Sequence, residues 1–241
     1  MPRPVRSSSS ARSSGLPDTV QGEGPSTGRI CGFLRLGGCN LSCRWCDTPY
    51  TWDWTGISSP VAYDPGTELH LMSVAQVVRR LREMDVDLVI ITGGEPLNQQ
   101  AQLVPTLRQL HDQGTAVEME TNGTRIPTPE VQRLVRRFVV SPKLAHSGDA
   151  ERRRLIPKAL RALRDSGKAD FKFVVQSVGD LDEVAVLVEK HDLAPIWIMP
   201  EGQTADALAR TLAAIADAVI SRRWNLTGRL HVLAWGQSRG V

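Results

Sequence analysis

The feature that most constrains the fold of this sequence is an alternation of short apolar runs with amphipathic segments, which starts near residue 30. Apolar runs rich in Val and Ile are typical of strands buried on both faces of a parallel sheet. The predicted strands are residues 30–36, 87–92, 116–121, 138–141, 171–176, 196–199 and 230–234. Helical periodicity between the strands predicts helices in residues 73–84, 99–113, 152–166, 181–190 and 205–222. Ser73 can cap the first of these helices. The alternation predicts an α/β fold in which outer helices connect parallel strands.

The length and composition fit one globular domain. The chain has 241 residues, of which 41% are hydrophobic and 23% are charged, so it can bury an ordinary core. Residues 1–15 are rich in Ser and Arg and are predicted to be a disordered extension, with a single domain over residues 16–241.

Charge and hydropathy exclude several classes of partner. Arg3, Arg6 and Arg12 account for the formal charge of +3, and without them the chain has 26 basic and 26 acidic residues. A neutral domain predicts no broad nucleic-acid surface. No apolar run approaches the roughly 20 residues of a membrane span, and the start lacks the apolar block of a secretory signal. We therefore expect a cytoplasmic protein that does not bind a membrane.

Small or polar clusters follow six of the predicted strands. They occupy residues 39–48, 92–96, 120–123, 141–143, residue 176 and residues 199–202. In parallel sheets and barrels, chemistry takes place where the carboxyl ends of the strands meet. The sequence therefore predicts one active site at that edge.

The first cluster contains the spacing C-x3-C-x2-C, formed by Cys39, Cys43 and Cys46. A structural zinc site needs four ligands, and the fourth cysteine, Cys31, lies inside a predicted strand. A 4Fe–4S cluster is usually held by four thiolates. Three thiolates in one loop would leave one iron open to a small molecule, although a zinc loop is the alternative.

The spacing resembles that of radical S-adenosylmethionine enzymes, and residues 93–96 (GGEP) resemble their cofactor motif. Within that superfamily the chain is similar to the 7-carboxy-7-deazaguanine synthase family. The stretches that carry this resemblance are QGEG at 21–24, FLRL at 33–36, CDT at 46–48, ITGGEP at 91–96, ETNGT at 120–124, SPK at 141–143 and residues 229–241. The resemblance implies a shortened, partial β/α TIM-like barrel. The family opens with a strand before QGEG, and here residues 16–20 (LPDTV) predict none.

The resemblance also implies the cofactor site. Cys39, Cys43 and Cys46 would ligate the 4Fe–4S cluster, and one iron would bind the amino and carboxylate groups of S-adenosylmethionine. The residues implied to contact that cofactor are Trp45, Asp47, Gly94, Glu95, Ser141, Pro142, Lys143 and Gln176.

The family resemblance assigns Thr48 as a ligand to Mg²⁺, which would bridge to the carboxylate of the substrate. From the residues alone, a helix cap explains Thr48 equally well. The residues implied to bind substrate are Val20, Gln21, Gly22, Glu23, Arg35, Thr92 and Val241, with His231 as a weaker contact. Arg35 would pair with the substrate carboxylate, or else form an ordinary salt bridge.

The implied reaction converts 6-carboxy-5,6,7,8-tetrahydropterin to 7-carboxy-7-deazaguanine with release of ammonia, and regenerates S-adenosylmethionine. No side chain is predicted to be catalytic, because the cofactor carries the radical chemistry. The implied partners are the pterin, an electron donor of the flavodoxin or ferredoxin type, and a second copy of the chain. The alternatives are an enzyme that activates a glycyl radical on a protein partner, or a zinc or redox scaffold without turnover.

Overall fold

A computed structural model of the protein describes residues 5–8, 19–236, 238 and 239. The strands among these residues are β1 (Val5–Ser8), β2 (Thr19–Val20), β3 (Ile30–Leu36), β4 (Leu69–Met72), β5 (Leu88–Gly93), β6 (Ala116–Thr121), β7 (Arg137–Val140), β8 (Ala169–Val175), β9 (Ile196–Pro200) and β10 (Asn225–Leu226). The helices are α1 (Pro65–Glu68), α2 (Val74–Arg82), α3 (Gln100–Asp112), α4 (Pro129–Leu134), α5 (Glu151–Arg154), α6 (Pro157–Asp165), α7 (Asp180–His191), α8 (Ala205–Ser221) and α9 (Leu230–Trp235).

The strands form a sheet in the order β10-β9-β8-β7-β6-β5-β3-β1-β4, with β2 beside β3. All neighbours from β3 to β10 are parallel, whereas β1 and β2 pair antiparallel with β3. In the described part of the chain, no pairing joins β10 to the other edge of this sheet. The α/β class and the partial barrel predicted from the sequence are confirmed.

The two faces of the parallel sheet differ in polarity. Val117 and Met119 of β6 are buried in the main apolar core, which the helices also enter. Glu118 and Glu120 alternate with them and therefore point to the opposite face, inside the curve of the sheet. Polar side chains on the inner face are what an active site inside the barrel requires.

Helix α2 begins directly after Ser73, the capping residue that the sequence predicts. The Ser73 hydroxyl accepts a hydrogen bond from the Gln76 backbone N–H, and the Gln76 side chain accepts one from the Ser73 N–H. This capping box satisfies two N–H groups at the helix start. The predicted apolar stripe is buried from Val74 to Leu81.

The structure corrects two predictions. Residues 230–234, predicted to be a strand, belong to helix α9, and the last strand is the two-residue β10. A five-residue apolar run does not distinguish strand from helix by periodicity alone. The stretch before QGEG, predicted to contain no strand, holds β2, which is short but pairs with Cys31 and Ile30 of β3.

The division into an extension over residues 1–15 and a domain over residues 16–241 stays a prediction. Within the first stretch the structure describes only β1, which pairs with β3 and β4. Among the described residues, no helix is both long enough and apolar enough to cross a membrane.

Candidate active site

A cavity of about 590 Å³ opens at the carboxyl ends of the parallel strands. It is lined by residues at or just after the ends of β3, β5, β6, β7, β8 and β9, as the strand-end clusters predicted. The predicted site residues that line it are Val20, Gln21, Gly22, Glu23, Arg35, Cys39, Cys43, Trp45, Cys46, Asp47, Thr48, Thr92, Gly94, Ser141 and Lys143. We call the part formed by residues 39–48, 93–95 and 141–143 the cysteine side. The part formed by residues 20–23, Lys172, Arg229 and His231 is the ion-pair side.

The three cysteines of the loop after β3 share this cavity. Burial raises the pKa of the Cys39 and Cys43 thiols to about 12, and it also raises that of Cys46. Among the described residues, no group of three His, Cys, Asp or Glu side chains is placed to hold a metal ion. A 4Fe–4S cluster is larger than a single metal ion. Its thiolates therefore need to surround a cavity and do not need to converge on one metal position. Three sulfur donors around one cavity, of which Cys43 is buried and Cys39 and Cys46 are half-buried, fit that requirement.

The cysteine loop is held from below by Asp149. Its carboxylate accepts hydrogen bonds from the Ser42 backbone N–H at 2.9 Å and from the Cys43 thiol at 3.8 Å. Arg153 pairs with the other oxygen of Asp149 at 3.4 Å, and also donates to the Asn40 carbonyl at 2.9 Å. These contacts fix the loop's backbone before any cofactor binds.

Gly94 packs directly against the start of the cysteine loop. A Cβ atom at this position would lie 2.1 Å from the Gly38 carbonyl oxygen, a distance that only glycine avoids. The Gly94 N–H donates to the Leu36 carbonyl at 2.8 Å, and the Glu95 N–H donates to the Gly38 carbonyl at 2.9 Å. The GGEP turn and the cysteine loop therefore form one rigid unit.

Glu95 lies beneath the cavity and does not line it. Its carboxylate accepts hydrogen bonds from the Leu97 N–H, the Thr121 hydroxyl and the Asn122 N–H at 2.7–3.0 Å. Complete burial raises its pKa in spite of these bonds. The Asn122 side chain in turn donates to Asn40 at 3.1 Å, which links the strand end of β6 to the cysteine loop.

Lys143 is held over the indole ring of Trp45. Its ammonium nitrogen lies 5.3 Å from the ring centroid and donates to the Ser141 hydroxyl at 2.9 Å. The Lys143 carbonyl accepts a 2.6 Å hydrogen bond from Arg154, which is 6% exposed and also pairs with Glu183. Arg152, Arg153 and Arg154 form a basic run in the sequence that would suit a solvated helix face, but Arg154 is buried. Pro142 is buried behind the turn and does not line the cavity.

Cys46 has a hydrogen-bond donor that the sequence did not indicate. The Trp52 indole N–H donates to the Cys46 sulfur at 3.2 Å. The Thr48 hydroxyl lies 3.7 Å from the same sulfur. Thr48 precedes a short 3₁₀ helix, but its side chain makes no capping hydrogen bond. The cap explanation for Thr48 is therefore wrong, and this residue lines the cavity.

Two predicted substrate residues converge on Glu120. The Thr92 hydroxyl donates to one oxygen of its carboxylate at 2.7 Å, and the Gln21 side-chain amide donates to the other at 3.1 Å. Glu120 lines the cavity. The signal for it was present in the sequence, because Glu118 and Glu120 alternate with apolar residues in a strand that is otherwise apolar.

Glu23 is held between two cations. One carboxylate oxygen accepts a 2.5 Å hydrogen bond from the Lys172 ammonium, and the other accepts a 2.9 Å bond from Arg229. Burial alone would raise the pKa of Glu23, but the charges of Lys172 and Arg229 outweigh it and hold this pKa well below its usual range. Burial likewise opposes the charge of Lys172, and Glu23 outweighs it and raises the pKa of this lysine.

His231 packs against the backbone of the QGEG turn. A Cβ atom on Gly22 would lie 2.0 Å from the imidazole Nδ1, so glycine is needed there. The Leu230 N–H donates to the Gly22 carbonyl at 2.8 Å. Burial lowers the pKa of His231 although Glu23, 3.9 Å away, opposes this.

Arg239 packs over the loop after the cysteines. The Arg239 guanidinium lies 4.1 Å from the ring centroid of Tyr50 and 5.2 Å from that of Tyr63, and it pairs with Glu68 at 3.4 Å. All but Glu68 line the cavity. Val241 lies outside the described residues. Gln176 is exposed after β8 and does not line the cavity.

Cys31 is a fully buried strand residue in a small apolar cluster with Leu88 and Ile90, as predicted. The sequence missed Lys172 and Arg229. The only signal for Lys172 is a charge inside an apolar strand, and Arg229 has none besides its place in the stretch 229–241.

Residues 34–191 match the model of the Radical SAM superfamily. The chain is 35% identical over 229 residues to the 7-carboxy-7-deazaguanine synthase of Pyrobaculum aerophilum, covering 92% of this chain and 93% of that protein. It is 35% identical over 226 residues to the enzyme of the same name from Hyperthermus butylicus, covering 89% and 88%. Among solved structures, QueE from Escherichia coli matches with a TM-score of 0.65 and 25% identity, covering 95% of this chain and 94% of that one.

Proposed function

Because the chain belongs to the radical SAM superfamily and, within it, to the 7-carboxy-7-deazaguanine synthases, we propose that its strand-end cavity is where 6-carboxy-5,6,7,8-tetrahydropterin is converted to 7-carboxy-7-deazaguanine and ammonia. The chain is a radical SAM lyase that uses a 4Fe–4S cluster and S-adenosylmethionine. One observation carries the assignment of the reaction to this cavity. Cys39, Cys43 and Cys46 line the same cavity as the QGEG turn at residues 21–24.

The cluster and S-adenosylmethionine, when bound, supply the one-electron chemistry that removes hydrogen from carbon 6 of the pterin. The donor set of the cysteine side fits them. Cys39, Cys43 and Cys46 offer three sulfurs that line one cavity. In our proposal, the ammonium of Lys143, held by Ser141, binds the carboxylate of S-adenosylmethionine, since a compact cation suits a carboxylate.

The GGEP turn would hold the amino group of S-adenosylmethionine. Gly94 lines the cavity and Glu95 does not, and the Glu95 carboxylate already accepts three hydrogen bonds. We therefore propose that Glu95 acts by holding the turn in place against the cysteine loop. Trp45 and Asp47 flank Cys46 at the cavity wall, where each would contact the cofactor. The proposed contacts of Pro142 and Gln176 would require the cofactor to reach beyond the cavity as it stands.

The ion-pair side would bind the pterin ring. The amide and amine edge of a pterin presents N–H donors, and an ionised carboxylate accepts such donors strongly. Glu23 is kept ionised by Lys172 and Arg229. Each carboxylate oxygen accepts more than one hydrogen bond, so Glu23 keeps lone pairs for the substrate. Val20, Gln21 and Gly22 would shape the same edge of the pocket.

The carboxylate of the pterin would bind near the junction of the two sides. Arg35 lines the cavity and is the proposed cationic partner. The hydroxyl of Thr48 is the proposed protein ligand of Mg²⁺, which commonly keeps several waters and takes other ligands from the substrate. Thr92 and Val241 complete the proposed substrate contacts.

The residues of the chain have three tasks in this reaction. They must orient the pterin, exclude water and hold its charges fixed. Substrate and product differ by one molecule of ammonia alone, so the reaction consumes no net electron. The hydrogen removed from carbon 6 must therefore be returned within the same closed cavity.

We also infer three properties of the protein outside the cavity. The reductant is a flavodoxin or ferredoxin, because the chemistry needs a donor of single electrons. The protein works in the cytoplasm, an inference supported by four free cysteines. It forms a homodimer, which rests on the family resemblance.

The direct test is anaerobic turnover with 6-carboxytetrahydropterin, S-adenosylmethionine, Mg²⁺ and a strong reductant, followed by mass analysis. Wild-type protein is expected to form the deazapurine acid. Cys43→Ala should abolish the product, and Cys31→Ala, the matched change of a buried cysteine away from the cavity, should retain it. Formation of deoxyadenosine without the deazapurine would overturn the proposed substrate, and absence of both would overturn the proposed function.

A further inference from the structure

Arg229 connects the two sides of the cavity. Its Nε donates to Glu23 at 2.9 Å, one terminal nitrogen donates to the Gly202 carbonyl at 2.8 Å, and the other pairs closely with Asp47. Glu23 belongs to the QGEG turn, and Asp47 directly follows the cluster cysteine Cys46. One side chain therefore contacts the proposed substrate site and the proposed cofactor loop.

We propose that Arg229 is a positioning residue that couples pterin binding to S-adenosylmethionine binding; this inference rests on the function proposed above. The guanidinium is planar, and its N–H groups point in fixed directions. When a ligand fixes the carboxylate of Glu23 or Asp47, the guanidinium is held in the orientation in which it bonds the other carboxylate. Binding at either side thus favours the arrangement needed at the other side.

The other contacts of Glu23 and Asp47 distinguish this positioning role of Arg229 from a purely structural role. Glu23 keeps a cation without Arg229, because Lys172 occupies its second oxygen at 2.5 Å. The Asp47 side chain is 49% exposed, so water can solvate it when its partner is removed. Loss of the Arg229 side chain therefore leaves no buried charge of the chain unpaired. What is lost is the fixed geometry between Glu23 and Asp47.

The backbone contact of Arg229 supports the same role. Its hydrogen bond to the Gly202 carbonyl anchors the guanidinium to the loop after β9, and the side chain is only 7% exposed. A buried and anchored guanidinium has little freedom to rotate. The guanidinium therefore fixes the bonding positions of Glu23 and Asp47 relative to each other, and a ligand that holds one carboxylate in its position favours the arrangement needed by the other.

The test measures the affinity of the anaerobic, cluster-loaded protein for 6-carboxytetrahydropterin with and without S-adenosylmethionine, by calorimetry in the presence of Mg²⁺. Coupling free energies between sites typically correspond to about 5- to 150-fold in affinity. In the wild type, we expect the pterin to bind at least about fivefold more tightly when S-adenosylmethionine is present. Arg229→Gln should reduce this ratio to about twofold or less. Arg229→Lys keeps the charge but not the planar fork, so the ratio should fall there too.

Three further variants define what is measured. Asp47→Ala should lose the same coupling, and the double variant Arg229→Gln with Asp47→Ala should lose no more than either single change. Arg222→Gln is the matched control. Arg222 also bonds a carboxylate, Asp182 at 2.9 Å, and a backbone carbonyl, Ala218 at 3.1 Å, but lies away from the cavity.

A second readout comes from the products of turnover. Misplacing the substrate relative to the cofactor should raise the ratio of deoxyadenosine to deazapurine acid in Arg229→Gln but not in Arg222→Gln. Wild-type coupling in a folded Arg229→Gln or Arg229→Lys protein would overturn the inference, as would wild-type protein without coupling. If the wild type binds or converts no pterin, the proposed function fails and this inference with it; conversion with unchanged coupling overturns the inference alone.

Discussion

The two sides of the cavity are built in different ways. The cysteine side consists of three short contiguous stretches whose contacts are mostly made by backbone groups, as at Gly94 against Leu36 and Gly38. The ion-pair side consists of single charged side chains, and its partners are far apart in the chain. Lys172 is 149 residues from Glu23, and Arg229 is 206 residues from it.

Because the two sides are built differently, they should tolerate different kinds of substitution. A backbone-built site depends on close approach, so adding one methyl group damages it. A site built from buried ion pairs depends on the balance of its charges, so removing one partner weakens the compensation of the charges that remain. The two sides should therefore fail differently, and the following predictions test that contrast.

Lys172→Met should have the largest effect. It removes one of the two cations that hold Glu23, and because Arg229 still pairs with this carboxylate, the free energy of unfolding should fall by about 3 kcal/mol, the low end of the cost of a broken buried pair. Lys158→Met, on the exposed face of α6, should change this free energy by no more than about 0.5 kcal/mol. The measurement is denaturant unfolding of anaerobic protein. Adding Glu23→Gln to Lys172→Met should reduce the loss, and a larger loss in the double variant would contradict the ion-pair account.

Gly94→Ala should damage the cysteine side. The new Cβ would lie 2.1 Å from the Gly38 carbonyl oxygen, so the cysteine loop must move. A displacement of about 1 Å in a catalytic arrangement can lower the rate by about 100-fold. We expect a loss of that size in deoxyadenosine formation, measured by chromatography together with the iron content. Gly179→Ala, where the nearest atom is 3.6 Å away, is the control and should behave as the wild type. Unchanged deoxyadenosine formation in Gly94→Ala would contradict the close-approach account.

Trp52→Phe tests a smaller effect on the cysteine side. The indole N–H donates to the Cys46 sulfur, and hydrogen bonds to the sulfurs of a cluster set its reduction potential. The bond favours the more negative, reduced cluster, so its loss should lower the potential. A hydrogen bond to a charged group is worth roughly 1.5–3 kcal/mol, which for one electron bounds the shift at roughly 130 mV. Redox titration followed by electron paramagnetic resonance measures it, with Trp54→Phe as control; a potential that stays the same or rises would contradict the role of Trp52.

The pH dependence of the ion-pair side should be nearly flat. Glu23 has a lowered pKa, so the stability from its charge is present above its unfolded value of 4.5 and is lost only as the pH falls through the folded value. Lys172 has a raised pKa, so its contribution is present below 10.5 and is lost as the pH rises through the folded value. Pterin affinity should therefore show no titration of Glu23 between about pH 7 and 9. A midpoint in that range that disappears in Glu23→Gln would show that the carboxylate is not held ionised.

The cysteine side was more predictable from the sequence than the ion-pair side. Cys39, Cys43 and Cys46 could be placed because their spacing is local, and the strand-end rule then predicted that they share a cavity with Ser141 and Lys143. The parallel sheet could be predicted because each strand is a separate apolar run.

The residues that the sequence missed depend on distant contacts. Nothing near Arg229 indicates that it reaches both Glu23 and Asp47, since these partners meet only when the barrel forms. Residues 230–234 were predicted to be a strand for a related reason. A five-residue apolar run is compatible with either element, and the packing of His231 against Gly22 is a contact between the two ends of the chain.

In the proposed function, the cysteine side starts the radical chemistry and the ion-pair side holds the pterin so that this chemistry leads to the deazapurine acid. Quantifying deoxyadenosine and the deazapurine acid in the same anaerobic reaction tests this claim most directly. Gly94→Ala should lose both compounds together, whereas Lys172→Met, assayed at a temperature where it is folded, should still form deoxyadenosine and lose the deazapurine acid. Equal loss of both compounds in folded Lys172→Met protein would contradict the claim.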